Sequence, residues 1–290
     1  MDYTEVIKKY LPEKTGLQKT VFCAMNDAVL AGGKRIRPRL MYETYELFCR
    51  KNGKQPDTDE IGPYMAAMET MHSASLIHDD LPCMDNDTLR RGQPTTWVTY
   101  GVDMATLAGD AMMIETFSLA SKAALEGPDK ERGLRAVNCL AVKSGIYGMT
   151  GGQVVDVENT GKPLDKEKLD FIYRLKTGAL LEGSMMVGAI LGGADDEEID
   201  IVEKIASNVG MAFQIKDDIL DVTSDAEKLG KPINSDAEND KTTYVTLYGI
   251  DKAQEEVVAR SEEAISLLDK IGAGGSAIET TIRYLITRDK

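Results

Sequence analysis

The placement of proline limits what this chain can fold into more than any other feature. There are nine prolines, and none lies between Pro94 and Pro128 or between Pro163 and Pro232. A proline inside a helix removes a backbone hydrogen bond and clashes with the turn before it. The proline-free stretches are therefore where long helices fit, and each proline is expected where a helix starts or stops. Apolar residues recur at spacings of three and four across 106–125, 169–191 and 199–222, the period of an amphipathic helix. Alternating patterns are few. WVTYG (97–101) and GGQVVDVENTG (151–161) are the best strand candidates, and each is short and isolated. These patterns predict an all-α fold of roughly ten helices in one domain spanning 1–290. The polar stretch 224–242 is too long for a simple helix connection, so it reads as a functional loop or a disordered one.

Charge excludes several classes. The formal net charge is −14, from 48 acidic and 34 basic side chains. A nucleic-acid binder leans the other way, and no basic patch points to a membrane surface. The beginning, MDYTEVIKKYLPEK, lacks the basic and apolar regions of a signal peptide. No apolar run approaches the ~18 residues that would span a bilayer, so the expectation is a cytoplasmic protein without membrane insertion. Cys23, Cys49, Cys83 and Cys139 are scattered and read as reduced thiols. His72 and His78, the only histidines, lack zinc-ligand spacing.

Two aspartate clusters carry chemistry. HDDLPCMDND (78–87) holds Asp79, Asp80, Asp85 and Asp87. Like charges this close repel unless something positive sits among them. Pro82 interrupts regular spacing, so Asp79 and Asp85 converge only if the helix ends or bulges there. The second cluster, KDDILDV, holds Asp217, Asp218 and Asp221. Asp217 and Asp221 share one helix face, one turn apart. One such motif alone reads as a solvated helix face. Two, each embedded in an apolar helical pattern, are the expected recipe for Mg²⁺, which takes one or two carboxylates per ion and leaves the rest to water and phosphate oxygens.

The cations are grouped. GGKRIRPRL (32–40) places Lys34, Arg35, Arg37 and Arg39 after a Gly-Gly turn, where backbone N–H groups at a helix start suit a phosphate. Arg90 and Arg91 follow the first acidic cluster, Lys176 and Thr177 lie in RLKTGALLEG, and Lys231 and Lys241 lie in the polar stretch. Each alone reads as a surface cation; together they point to an oligophosphate ligand. His72 and Gln214 precede their clusters by one or two turns and could equally be buried hydrogen-bonding groups.

The ordered set GGKRIRP (32–38), HSASLIHDDLPCMDNDTLRRG (72–92), KTG (176–178), FQIKDDILD (213–221), GK (230–231) and NDK (239–241) resembles the trans-isoprenyl diphosphate synthases, the farnesyl and geranylgeranyl diphosphate synthase family of polyprenyl synthetases, over nearly the whole chain. Trp97 stands where many members carry histidine. The resemblance implies an all-α bundle around a deep central cavity, a homodimer, and Mg²⁺ as cofactor, three ions with bound diphosphate. It implies Asp79 and Asp85, with Asp80 assisting, as one metal-ligand set and Asp217, with Asp218 and Asp221, as the other. Arg90, Lys176, Thr177, Gln214, Lys231 and Lys241 would hold the allylic diphosphate. Lys34, Arg37, His72 and Arg91 would hold isopentenyl diphosphate. Arg90, Lys176, Thr177 and Gln214 would take the catalytic roles. The implied reaction is head-to-tail condensation through an allylic carbocation, with 224–242 as a lid that excludes water. Rival readings are a class I terpene cyclase, whose second motif mixes other residues with aspartate, and a non-catalytic subunit of a heteromeric synthase.

A helix turn rises 5.4 Å, close to one isoprene unit. Residues about one turn before Asp79 can therefore act as a floor for the growing chain. Ala74 and Ser75 are small, which points to a C20 product rather than C15, with Met71 as a deeper floor and Met112, Met113 and Phe117 as further candidates.

Overall fold

The computed structural model describes residues 1–223 and 242–287. Lys231 and Lys241, and the lid expected around them, lie outside the described residues.

Residues Met1–Ala141 with Ile190–Gly193 form one compact unit. It holds α1 (Tyr3–Lys8), α2 (Lys19–Leu30), α3 (Ile36–Lys51), α4 (Thr58–Asp79), a hairpin of β1 (Leu89–Arg90) and β2 (Gln93–Pro94), α5 (Thr96–Tyr100), α6 (Val102–Glu126) and most of α7 (Lys130–Ser144). Asp57 caps α4 by accepting from the Asp59 N–H at 2.9 Å, and Asp59 and Glu60 favour its positive end. From Ile61 to Ile77 this helix buries residues on almost every side, the mark of a helix inside a core rather than on its surface. Small residues (Ala74 on α4, Ala105 and Ala108 on α6) share a core with Ile77, Leu81 and Met112. Burying each larger apolar side chain contributes about 1.5–3 kcal/mol.

Residues Val142–Ala189 with Ala194–Lys290 form the second unit. Here lie α8 (Met149–Glu158), α9 (Lys166–Ile172), a π-helical turn (Tyr173–Gly178), α10 (Ala179–Gly192, which ends in the first unit), α11 (Asp196–Thr223), α12 (Tyr244–Tyr248), α13 (Ile250–Lys270) and α14 (Ala277–Thr287). The α13 face carrying Ala253, Val257, Ala264, Leu267 and Leu268 is buried, and α11 and α13 make the most extensive pairing of this unit. Lys143 lies buried between Glu182 and Glu203, bonded to both.

The proline-free stretches do hold the long helices: 25 residues in α6 and 28 in α11. Two expectations fail. Pro63 lies inside α4 as its sixth residue, one turn past the free N–H groups of the helix start, so the helix continues there without the bond to the Asp59 carbonyl. Neither strand candidate is a strand: 97–101 falls in α5 and its following glycine, and 151–161 is largely α8. Five residues are too few for alternation to outweigh a helical start after Thr95. In α8, Val154 and Val157 stand three apart and are both exposed, a helical spacing read as alternation. Among the described residues the only strands are the two-residue pair of the hairpin, and no helix is long and apolar enough to cross a membrane.

Candidate active site

The first aspartate cluster sits where α4 stops. Asp79 is its last residue and Asp80 its cap. The chain then turns back, with the Met84 and Asn86 amides donating to the Leu81 carbonyl at 2.8 and 3.1 Å and the Asp85 amide donating to the Asp79 carbonyl at 2.8 Å. Asn86, at φ 55°, completes the turn. The backbones of Asp79 and Asp85 are thus hydrogen-bonded where the helix ends around Pro82.

The positive group among these carboxylates is Arg90. Its Nε donates to Asp80 Oδ1 at 2.7 Å, and its Nη2 reaches Asp87 at 3.3 Å. Asp80 is buried; that burial raises its carboxyl pKa, and Arg90 opposes the rise. Asp80, Arg90 and Arg91 also line a cavity of about 660 Å³ with Ser73 and Ile77, so these charges border open space.

The hairpin aims both arginines. Arg91 and Gly92 have φ 54° and 75°, the left-handed pair that a two-residue hairpin turn demands. Arg91 folds back to donate to the Gly32 carbonyl. A Cβ on Gly33 would stand 2.8 Å from the Arg91 guanidinium carbon and push that arginine aside, and φ 117° at Gly33 itself favours glycine.

Beyond that loop, Arg35 (φ 50°) opens α3 and points inward. It donates to Glu69 at 2.6 Å, to the Val29 carbonyl at 2.7 Å and to Thr4 at 3.2 Å. Arg37 is different: its Nε is sealed from solvent and has no hydrogen-bond partner. Burial pulls its pKa down to about 10, against the pull of Glu69 and with the push of Arg91. His72 is held well below the ordinary imidazole value by burial and then by Arg37, Arg91, Arg90 and Arg35. Four guanidiniums thus act on a neutral imidazole; Arg35 and Arg90 are paired with Glu69 and Asp80. Lys34 is exposed on the same loop.

Of the floor candidates, Met71 and Ala74 are buried. Ala74 faces the core formed with Ala105, Ala108 and Met112. Ser75 is half-buried and donates to the His72 carbonyl at 2.8 Å.

In the second unit the π-helical turn carries Lys176 and Thr177. Such turns are frequent at functional sites because they swing side chains out of helical register. Lys176 pairs with Asp156 on α8 at 2.5 Å. The Thr177 hydroxyl donates to Gln214 Oε1 on α11 at 3.1 Å, which joins two residues singled out in the sequence. A Cβ on Gly152 would stand 2.2 Å from the Lys176 backbone nitrogen, so glycine lets α8 approach this turn. Asp217, Asp218 and Asp221 lie along α11; Asp221 and Asp218 are buried, and Asp217 is half-buried. Among the described residues no three His, Cys, Asp or Glu side chains form a ready-made metal cage.

The polyprenyl synthetase family model matches residues 18–273. The chain belongs to the polyprenyl synthetase family. It is 41% identical over 267 residues to a farnesyl diphosphate synthase of Geobacillus stearothermophilus, covering 92% of this chain and 88% of that one. It is 46% identical over 243 residues to a chloroplastic geranylgeranyl pyrophosphate synthase of Catharanthus roseus, covering 83% of this chain and 66% of that one. Among solved structures it matches an FPP/GFPP synthase of Zymomonas mobilis with TM-score 0.84 and 32% identity, over 99% of this chain and 95% of that one. It matches a geranyltransferase of Helicobacter pylori, complexed with magnesium and isoprenyl diphosphate, with TM-score 0.82 and 31% identity, over 98% and 92%.

Within this polyprenyl synthetase, sequence reasoning missed Asp156 and the inward role of Arg35. Reading 151–161 with a helical period would have put Gln153 and Asp156 on one face. Nothing in GGKRIRP distinguishes the arginine that turns inward from the one whose Nε is left unpartnered.

Proposed function

We propose that the chain is a Mg²⁺-dependent trans-prenyltransferase that condenses isopentenyl diphosphate head-to-tail with allylic diphosphates, giving a C20 or C15 diphosphate. The observation that carries this reading is the buried, unpaired donor of Arg37. Its Nε is sealed and unpartnered, beside a His72 imidazole held neutral by burial first and then by Arg37, Arg91 and Arg90. A buried donor left unpaired is costly, and a diphosphate supplies the missing acceptors. Family membership names the diphosphate class.

Lys34, Arg37, His72 and Arg91 would bind isopentenyl diphosphate. Arg90, Lys176, Thr177 and Gln214 would bind the allylic diphosphate, with Lys231 and Lys241. Asp79, Asp80 and Asp85, and Asp217 and Asp221, offer the all-oxygen donors that suit Mg²⁺, with three ions as the working number. Bound Mg²⁺ would neutralise charge on the diphosphate. The guanidiniums and Lys176 stabilise the departing pyrophosphate electrostatically. Loss of that group leaves an allylic cation; the isopentenyl double bond attacks it, and a proton passes to the departing pyrophosphate. No side-chain nucleophile is needed.

The whole chain is read as one catalytic domain, cytoplasmic and homodimeric. Leu107, Ile114 and Leu125 on α6 are 50%, 72% and 71% exposed, an apolar row that supports pairing with a second copy. The test is incubation of purified protein with isopentenyl and dimethylallyl diphosphates, with and without Mg²⁺, and mass spectrometry of the products. A Mg²⁺-dependent C15 or C20 diphosphate is expected. Binding without elongation would indicate a non-catalytic subunit instead, and a cyclic hydrocarbon a cyclase.

A further inference from the structure

Asp218 stands in the middle of the second aspartate motif, yet its carboxylate is used differently from what the motif suggests. It is 4% exposed. Its Oδ2 accepts from the Tyr173 hydroxyl at 2.7 Å and from the Tyr244 backbone N–H at 2.9 Å. Two donors occupy both lone pairs of that oxygen. Tyr173 is the first residue of the π-helical turn that carries Lys176 and Thr177. Tyr244 is the first residue of α12, just after the described chain resumes at Thr242. The two rings lie 6.4 Å apart, and Lys166 covers the Tyr244 ring at 5.6 Å. One carboxylate oxygen thus ties three elements together: α11, the π-helical turn and α12.

We infer that Asp218 is a positioning residue: through Tyr173 and the Tyr244 amide it fixes the turn bearing Lys176 and Thr177, and it does not serve as a Mg²⁺ ligand. This rests on the proposed prenyltransferase reading for its effect on substrate, but the tie itself is independent of that reading. An asparagine keeps an amide oxygen that can accept both hydrogen bonds while losing the charge a metal needs; a leucine loses both.

The experiment compares the full chain with Asp217→Asn, Asp218→Asn, Asp218→Leu and Tyr173→Phe. Three quantities are read: hydrogen exchange at the Tyr244 amide, the melting-temperature shift with Mg²⁺ and pyrophosphate, and steady-state kinetics. Tyr244 protection should survive in D218N and fall in D218L. The pyrophosphate shift should be largely retained in D218N and lost in D217N. Y173F should raise KM for the allylic diphosphate roughly three- to tenfold, the effect of one hydrogen bond, with the Mg²⁺ concentration for half-maximal rate unchanged. The inference is overturned if D218L leaves Tyr244 protection intact. It is also overturned if D218N raises the half-maximal Mg²⁺ concentration tenfold while Y173F has no effect. Tyr244 exchange behaving as expected while no protein, parent included, elongates a prenyl chain would sink the proposed function and leave the tie standing.

Discussion

Arg37 is stabilised by nothing visible around its Nε, and that has a measurable price in the empty protein. Replacing it with glutamine should leave the melting temperature unchanged or raised, because a sealed unpartnered donor goes. The same change removes charge-assisted bonds worth about 1.5–3 kcal/mol each, so KM for isopentenyl diphosphate should rise roughly ten- to a hundredfold. His72 gives a pH signature. Its folded pKa lies well below 6.5, so below that value the unfolded chain binds a proton that the folded chain refuses. Stability should therefore be full above about pH 6.5 and fall as pH drops from there towards the depressed pKa. Thermal melts between pH 4.5 and 7.5 check the sign, and His72→Gln should flatten the slope. Both residues were singled out by motif order alone. The inward turn of Arg35 was not, because the sequence does not show that this residue adopts φ 50° and meets Glu69.

At the scale of elements, the π-helical turn is the feature to disturb. Gly152→Ala would place a methyl group 2.2 Å from the Lys176 nitrogen, where backbone must move. Overpacking of this kind costs about 1–3 kcal/mol, and the displaced Lys176 and Thr177 should cut kcat more than the loss of stability explains. Activity measured well below the variant's melting temperature separates the two. The contact of α4 with α6 yields a second prediction. Ala74 is fully buried against Ala108 and Met112, so Ala74→Tyr must push into that core or into the space beside it. A shortened product, read by mass spectrometry, is expected; an unchanged length would place the floor elsewhere. The long helices were legible because proline and period agree over many residues. The short ones, α5 and α8, were not, because alternation and helical spacing coincide over a few residues.

For the whole molecule, ligand binding and folding are linked. Mg²⁺ with pyrophosphate at about one hundred times its dissociation constant should stabilise the folded protein by about 2.7 kcal/mol, visible as a rise in melting temperature absent with either component alone. Ile114→Glu, at an exposed position of α6, should shift a dimer towards monomer by light scattering while leaving the helix content intact. All-helical architecture was legible from the sequence, whereas the division of contacts into two compact units was not, because periodicity reports which face of a helix is buried and not against which neighbour. One local detail reaches beyond these tests. Trp97, the single tryptophan, donates its indole N–H to the Asp87 carbonyl at 2.8 Å, two residues past Asp85. The protein therefore carries its own unlabelled fluorophore at the edge of the aspartate turn, and the colour and intensity of its emission provide a real-time optical record of that turn as it meets ligand in a stopped-flow cell.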